Sequence, residues 1–129
     1  MRALDDAVTA GKVLYAGVSD TPAWVVSRAN TLAEWRGWTP FAGLQVPYSL
    51  INRDAERELL PMAEAYGMTV TAWSPLGGGV LSGKYNAGPP DDRTRLSRDT
   101  ISDRDLGVAR VVREVARHLS ITPAQAALA

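Results

Sequence analysis

Short apolar runs rich in β-branched residues alternate along the chain with longer stretches whose apolar positions recur at helical spacing. Val13 to Val18 (VLYAGV) reads as a buried strand, Phe41 to Val46 (FAGLQV) as a second, and Met68 to Trp73 (MTVTAW) as a third. Between the first two, Thr21-Pro22 predicts a helix start. Asp20 or Thr21 serves as N-cap, and Pro22 sits in the first turn, where a missing N–H costs nothing. Trp24, Val25, Ala29, Leu32 and Trp35 are the apolar residues of that helix, and Gly37 ends it. Asn52 is the expected cap of the next helix, with Asp54 and Glu56 favourably placed for its dipole. Leu59, Leu60, Ala63 and Tyr66 give that helix its apolar side, Pro61 should kink it, and Gly67 stops it. A loop rich in Gly, Pro and Asp runs from Ser74 to about Asp99. Beyond it, Val108, Val112, Val115 and Leu119 share a face of a late helix, and Thr122-Pro123-Ala124-Gln125 spells a capping-box start for another.

The order β-α-β-α-β-loop-α-α predicts an α/β fold of parallel strands joined by crossover helices. Both ends read as cut. Leu4, Ala7 and Val8 mark a helix already under way, the last apolar helix stops after about two turns, and three parallel strands leave two edges unpaired. The expectation is a piece of a larger fold.

Composition narrows the chemistry. At 129 residues there is room for one ordinary domain with a core. Fourteen basic residues balance fourteen acidic ones, so no net field recruits nucleic acid or an anionic membrane. The absence of cysteine excludes disulfides and thiolate metal sites, and a single histidine argues against a metal centre. The charged N-terminus lacks an apolar signal core, which makes a cytoplasmic protein the default expectation.

Trp73 to Tyr85, WSPLGGGVLSGKY, contains Gly78, four residues, Gly83 and Lys84, nearly a nucleotide-triphosphate loop. Such a loop needs Ser or Thr after its lysine and then a helix facing the phosphates. Tyr85 follows instead, and Asn86-Ala87-Gly88-Pro89-Pro90 cannot begin a helix promptly. What survives is a glycine run whose missing Cβ atoms let an anion approach backbone N–H groups, with Lys84 as a cation; the alternative is a surface loop with a chance glycine run.

The same stretch closely resembles the loop after the seventh strand of the aldo/keto reductases. Ala10-Gly11-Lys12-Val13-Leu14-Tyr15-Ala16-Gly17-Val18-Ser19 resembles the family's "GKVRYIGVSN", and Leu44 to Arg53 (LQVPYSLINR) its "LQVEYSLLNR". Glu56 to Pro61 (ERELLP) and Thr122 to Ala129 (TPAQAALA) follow family helices in the same order. The resemblance covers essentially all of residues 1–129 and implies part of a (β/α)8 TIM barrel, about strands five to seven with their helices.

It also implies roles. Ser19 and Asp20 match the pair that hydrogen-bonds the nicotinamide carboxamide of NADP(H), although much of the family has Asn where Asp20 stands, and Asp lacks the amide's donor. N-cap of the Pro22 helix is its other reading. Gln45, an amide inside an apolar strand, matches a further carboxamide contact; the alternative is a strand-end Gln bonded to backbone. Trp73 matches the aromatic residue on which the nicotinamide stacks, or else it is a core Trp. Ser74, Pro75, Leu76, Gly77, Gly78 and Lys84 match the pyrophosphate loop. Arg95 resembles an arginine that reaches the cofactor in long-loop members, against the reading of a solvated charged loop with Arg93 and Arg98. His118 matches nothing catalytic and reads as a surface or half-buried helix residue.

The family transfers hydride reversibly between NADPH and a small-molecule carbonyl, using a tyrosine general acid with a lysine, an aspartate and a histidine. These belong to the first four strands, which leaves no catalytic residue in this chain; Tyr15, Tyr48, Tyr66 and Tyr85 occupy other places in the pattern. The chain alone is then an inactive truncation, or one half of a barrel completed by self-association or by a complementary half. The alternatives are a non-catalytic NADP(H)-binding or regulatory module, akin to the channel β-subunits that resemble this family, and an unrelated α/β binding domain.

Overall fold

The computed structural model describes residues 1–86 and 96–129. Within them the chain forms two compact units, residues 1–46 with 54–73 and residues 47–53 with 74–129.

The first unit is α/β. It holds α1 (Arg2–Thr9), β1 (Ala16–Ser19), α2 (Ala23–Arg36), β2 (Phe41–Pro47), α3 (Leu59–Ala65) and β3 (Thr69–Trp73), with a single 3-10 turn at Asp54–Glu56 before α3. The three strands make one sheet in the order β1-β2-β3, and β1 runs parallel to β2. Leu44 and Val46 of β2 are buried together with Val26 and Ala33 of α2, Met62 and Ala63 of α3, and Met68.

Several local expectations need revision. The first strand begins only at Ala16; Leu14 and Tyr15 are each 80% exposed. The buried stripe of α2 is Ala23, Val26, Asn30 and Ala33, not the large apolar residues, and Trp24 and Trp35 are 66% and 86% exposed. Small side chains on the inner face let the helix approach closely, so bulk in the sequence marks the outer face. No side chain caps α2. Its N-cap position is Pro22, Asp20 adopts φ 48°, and Thr21 Oγ1 donates to Ser19 O at 2.8 Å. Asn52 does not stand at the start of α3, whose N-cap position is Glu58; its backbone bridges Ser49 through reciprocal bonds of 2.9 and 3.1 Å. Because α3 starts at Leu59, Pro61 lies in its first turn, where the ring has no preceding turn to strike and no kink arises.

Helix ends follow one pattern. In α1, α2 and α3 the chain leaves through a left-handed glycine, Gly11, Gly37 and Gly67, with paired bonds back to the last turn, such as Met68 N to Ala63 O at 2.8 Å. Asn30, 3% exposed, fastens α2 to the sheet. Its Oδ1 accepts from Phe41 N at 2.9 Å and its Nδ2 donates to Phe41 O at 3.2 Å. Asp5 of α1 accepts from the backbone N–H and the hydroxyl of Thr39 at 2.8 and 2.9 Å. Those two bonds, with a smaller contribution from Arg2, hold its carboxyl below the usual aspartate range against a small opposing effect of burial.

The second unit contains 3-10 turns at Gly77–Ser82, Lys84–Asn86 and Arg98–Thr100, then α4 (Asp103–His118) and α5 (Pro123–Leu128). Val80, Tyr85, Ile101, Leu106 and Ala109 form its core, with Ile51 and Leu96 packed against them. Ser102 caps α4 by accepting from Asp105 N at 3.1 Å. Of the face expected for α4, Val112 is buried, whereas Val115 and Leu119 are 46% and 62% exposed; the buried stripe is Leu106, Ala109, Val112 and Ala116. Ser120, at φ 57°, closes α4 as the glycines close the other helices. The Thr122–Gln125 capping box forms in both directions, at 3.2 and 2.9 Å. Among the described residues no helix is long and apolar enough to cross a membrane.

Candidate functional site

The candidate residues of the first unit lie on its sheet. Register pairs Gly17 with Gly43, Val18 with Leu44 and Ser19 with Gln45. Residues directly opposite on neighbouring strands project from the same face. Leu44 and Val46 are buried beneath one face, so Gln45 between them emerges on the other, beside Ser19. Both are exposed, and the alternation puts Gly17 and Gly43 on that same face. Gln45 is therefore not the buried amide that its apolar neighbours suggested, and its carboxamide faces outward with donor and acceptor both. Gly17 eases a close approach of the two strands, since a Cβ there would stand a tight 3.3 Å from Gly43 O. Asp20 follows in a left-handed conformation that short polar residues tolerate. Trp73 ends β3 at 49% exposure, which rules out a core role within this unit.

The candidate residues of the second unit lie on the glycine-rich loop. Ser74 has φ 55°, and Gly77, Gly78 and Gly79 follow with φ of 54°, 65° and 95°. Short backbone bonds tie the loop to itself: Gly77 N to Ser74 O at 2.8 Å, Gly79 N to Leu76 O at 3.0 Å, and Leu81 N to Leu76 O at 3.2 Å. Ser82 Oγ donates to Gly79 O at 2.7 Å.

The spaces left by the missing Cβ atoms are filled by the chain's own side chains. A Cβ at Gly77 would strike Ile51 Cδ1, and one at Gly78 would come within 2.8 Å of Leu96 Cδ1. At Gly79 the neighbour is Lys84, with Cε at 2.8 Å and Nζ at 3.0 Å from that position. The glycines thus admit packing from within, and the third one draws the lysine ammonium across the loop backbone. Lys84 Nζ also stands 5.1 Å from the centre of the Tyr85 ring, over which it is favourably placed. Pro75 and Leu76 are half-buried, and Lys84 is exposed.

Tyr85 has a role that sequence reasoning did not assign. At 3% exposure it is a core strut, and its hydroxyl accepts from Leu96 N at 3.0 Å and faces Gly78 O at 3.5 Å. The aromatic residue directly after Gly-Lys was the available signal, spent on excluding a nucleotide-triphosphate loop. Gly83, read from the sequence only as a glycine of the near-nucleotide pattern, has φ 79° and lies under the Arg113 side chain, whose Cδ would be 2.6 Å from a Cβ. Arg95 lies outside the described residues. His118 is exposed, with Nδ1 2.8 Å from Glu114 O on its own helix. Among the described residues no three His, Asp or Glu side chains gather in a way that could hold a metal ion.

Comparison with known proteins places this geometry in context. The model of the aldo/keto reductase family matches residues 1–129. A putative aryl-alcohol dehydrogenase of Saccharomyces cerevisiae is 50% identical over 84 residues, covering 65% of this chain and 22% of that protein. Norsolorinic acid reductase A of Aspergillus parasiticus is 51% identical over 102 residues, covering 74% of this chain and 26% of its own. An aryl-alcohol dehydrogenase of Pestalotiopsis microspora is 35% identical over 129 residues, all of this chain and 33% of that protein. The chain thus spans between a fifth and a third of the length of these curated relatives. With its whole length matched by the family model, the chain belongs to the aldo/keto reductase family.

Proposed function

We propose that this chain supplies the nicotinamide-facing and pyrophosphate-facing residues of an NADPH-dependent carbonyl reductase, corresponding to about strands five to seven of the family's (β/α)8 barrel. The observation that carries the reading is the register of β1 on β2, with Ser19 and Gln45 side by side on the outward face of the sheet. A hydroxyl and a carboxamide at neighbouring strand positions offer the donors and acceptors that a nicotinamide carboxamide requires. Trp73 presents a half-exposed indole for stacking. On the loop, Lys84 laid across Gly79 fits a pyrophosphate charge, with Ser74, Pro75, Leu76, Gly77 and Gly78 shaping the backbone and Arg95 as a further cation.

The bound nicotinamide would supply the hydride. This chain's residues orient and hold: Ser19, Asp20 and Gln45 fix the carboxamide, Trp73 fixes which ring face is covered, and Lys84 offsets phosphate charge. No residue here takes the part of proton donor, and general acid catalysis contributes ~10²–10⁴-fold. The chain alone is therefore proposed to bind NADP(H) without turning over a carbonyl. The relatives' names, aryl-alcohol dehydrogenase and norsolorinic acid reductase, support an aromatic carbonyl–alcohol pair as the substrate class of the complete enzyme. They lend no support to a channel-subunit role.

Titration of the purified chain with NADPH, followed by tryptophan fluorescence, tests the reading. Saturable quenching is expected, weakened about tenfold by Gln45→Ala and by Lys84→Ala in chains still folded by circular dichroism, as loss of about 1.4 kcal/mol dictates. Absence of saturable quenching overturns the cofactor reading, and NADPH-dependent reduction of 4-nitrobenzaldehyde by the chain overturns the claim that it is inactive alone.

A further inference from the structure

Arg110, Arg113 and Arg117 follow one another on α4 at i, i+3 and i+7, a spacing that aligns them on one face of the helix. Together they line a cleft of about 440 Å³ between α4 and the start of α5, a volume suited to a small ligand. Its floor is apolar: Ala116 is 1% exposed, and Ile121 follows the turn into α5. Glu114 stands at the rim, four residues after Arg110 and three before Arg117, the spacing at which helix ion pairs form. None forms. Among the described residues, the ion pairs within 4.0 Å are Arg2–Asp6, Arg57–Asp54 and Arg104–Asp105, apart from those of Arg53, Asp54 and Glu56, and none uses these three arginines or Glu114.

Three guanidinium groups outnumber the single Glu114 carboxylate in this cleft, and among the described residues none of the four is ion-paired, an excess of like charge that an incoming anion would relieve. Arg113 is also held in place: its stem packs over Gly83, leaving no room there for a Cβ, so part of the ordering that binding requires is already done. The α5 terminus contributes less, because its capping box already engages Thr122 N and Gln125 N. Any anion in this cleft is therefore gripped chiefly by guanidinium groups. Their planar forks match phosphate oxygens in pairs of bonds, and three such groups lining one cleft favour a ligand with more than one negative charge.

We propose that this cleft is a binding site for a small multivalent phosphate anion, held by Arg110, Arg113 and Arg117. The inference does not rest on the cofactor reading of the glycine loop, and the experiment separates the two. The probe is inorganic pyrophosphate, titrated into the ¹⁵N-labelled chain at constant ionic strength so that screening does not change. Saturable amide shifts are expected to centre on residues 110–117 and on Ile121 and Thr122. The paired substitution Arg110→Gln with Arg117→Gln, both at exposed positions, should weaken the affinity at least about tenfold, while Lys84→Gln changes it less than about twofold. The proposal is overturned by no saturable shift up to about 10 mM pyrophosphate, by shifts centred on residues 76–84, or by full affinity in the folded double variant. Should the double variant fail to fold, the shift map of the unaltered chain decides by itself.

Discussion

Replacing Asn30 with alanine strikes the joint between α2 and β2. The side chain satisfies both backbone groups of Phe41, and Phe41 opens the strand that carries Gln45. Alanine suits the helix, so the loss is confined to the joint. Two hydrogen bonds disappear, each with a net contribution of about 1 kcal/mol, and the stranded N–H and C=O add desolvation penalties of ~1–3 kcal/mol each if water cannot reach them. Phe41 is only half-buried, which puts the penalties at the low end. The contact from Asn30 Nδ2 to Met68 Sδ is long, at 3.6 Å, and adds little. The expected cost is about 2–4 kcal/mol, a large share of the ~5–15 kcal/mol that holds a typical domain together. In urea, with a slope of ~1–3 kcal/mol/M, the midpoint should fall by roughly 0.7–4 M. Amide exchange at Phe41 should quicken more than at Leu44. Asn30→Asp should be at least as damaging, since it keeps the acceptor for Phe41 N–H but turns a carboxylate toward Phe41 O. A cost below about 0.5 kcal/mol with unchanged exchange at Phe41 would refute the account of the joint, because surface substitutions alone reach that size.

Two further outcomes are expected. Tyr85→Phe removes the hydroxyl that accepts from Leu96 N and should cost about 1–2 kcal/mol in urea unfolding, with accelerated exchange at Leu96; an unchanged midpoint would mean that the hydroxyl is no strut. Asp5→Ala tests the carboxylate that holds Thr39: its depressed pKa makes its stabilisation fully present above the unfolded value of ~3.9, and that stabilisation fades as pH falls through the folded value. The gap between parent and variant should stay constant from about pH 7 to 5 and close below about pH 4, and a gap independent of pH would contradict it.

Strands were legible as short apolar runs between turn signals, and β2 and β3 lie within one residue of their expected bounds. Helix ends were legible too, because Gly37 and Gly67 announce a left-handed exit. Helix faces were not. In α2 the eye follows Trp24 and Trp35, yet the sheet takes Ala23, Val26, Asn30 and Ala33, a stripe that includes a polar residue whose partners come from a distant strand. The start of α3 was obscured by Asn52, an apparent cap for a helix that begins only at Leu59. At the candidate site, the motif gave the residues but not their neighbours. That Ser19 faces Gln45 is a matter of register, which sequence spacing across 26 positions does not encode. That Ile51 and Leu96 enter the glycine loop follows from tertiary packing alone.

The loop's dependence on Ile51 bears on how portable it is. Gly77 is shaped around a side chain 26 positions upstream, and the segment carrying that side chain is anchored to α4 by Arg104 Nη1 donating to Ile51 O at 3.3 Å. A transplant of residues 74–86 into another scaffold would carry the glycines and the lysine but leave behind the mould that sets their curvature. The transferable cassette is discontinuous: residues 47–53 must travel with the loop and with α4.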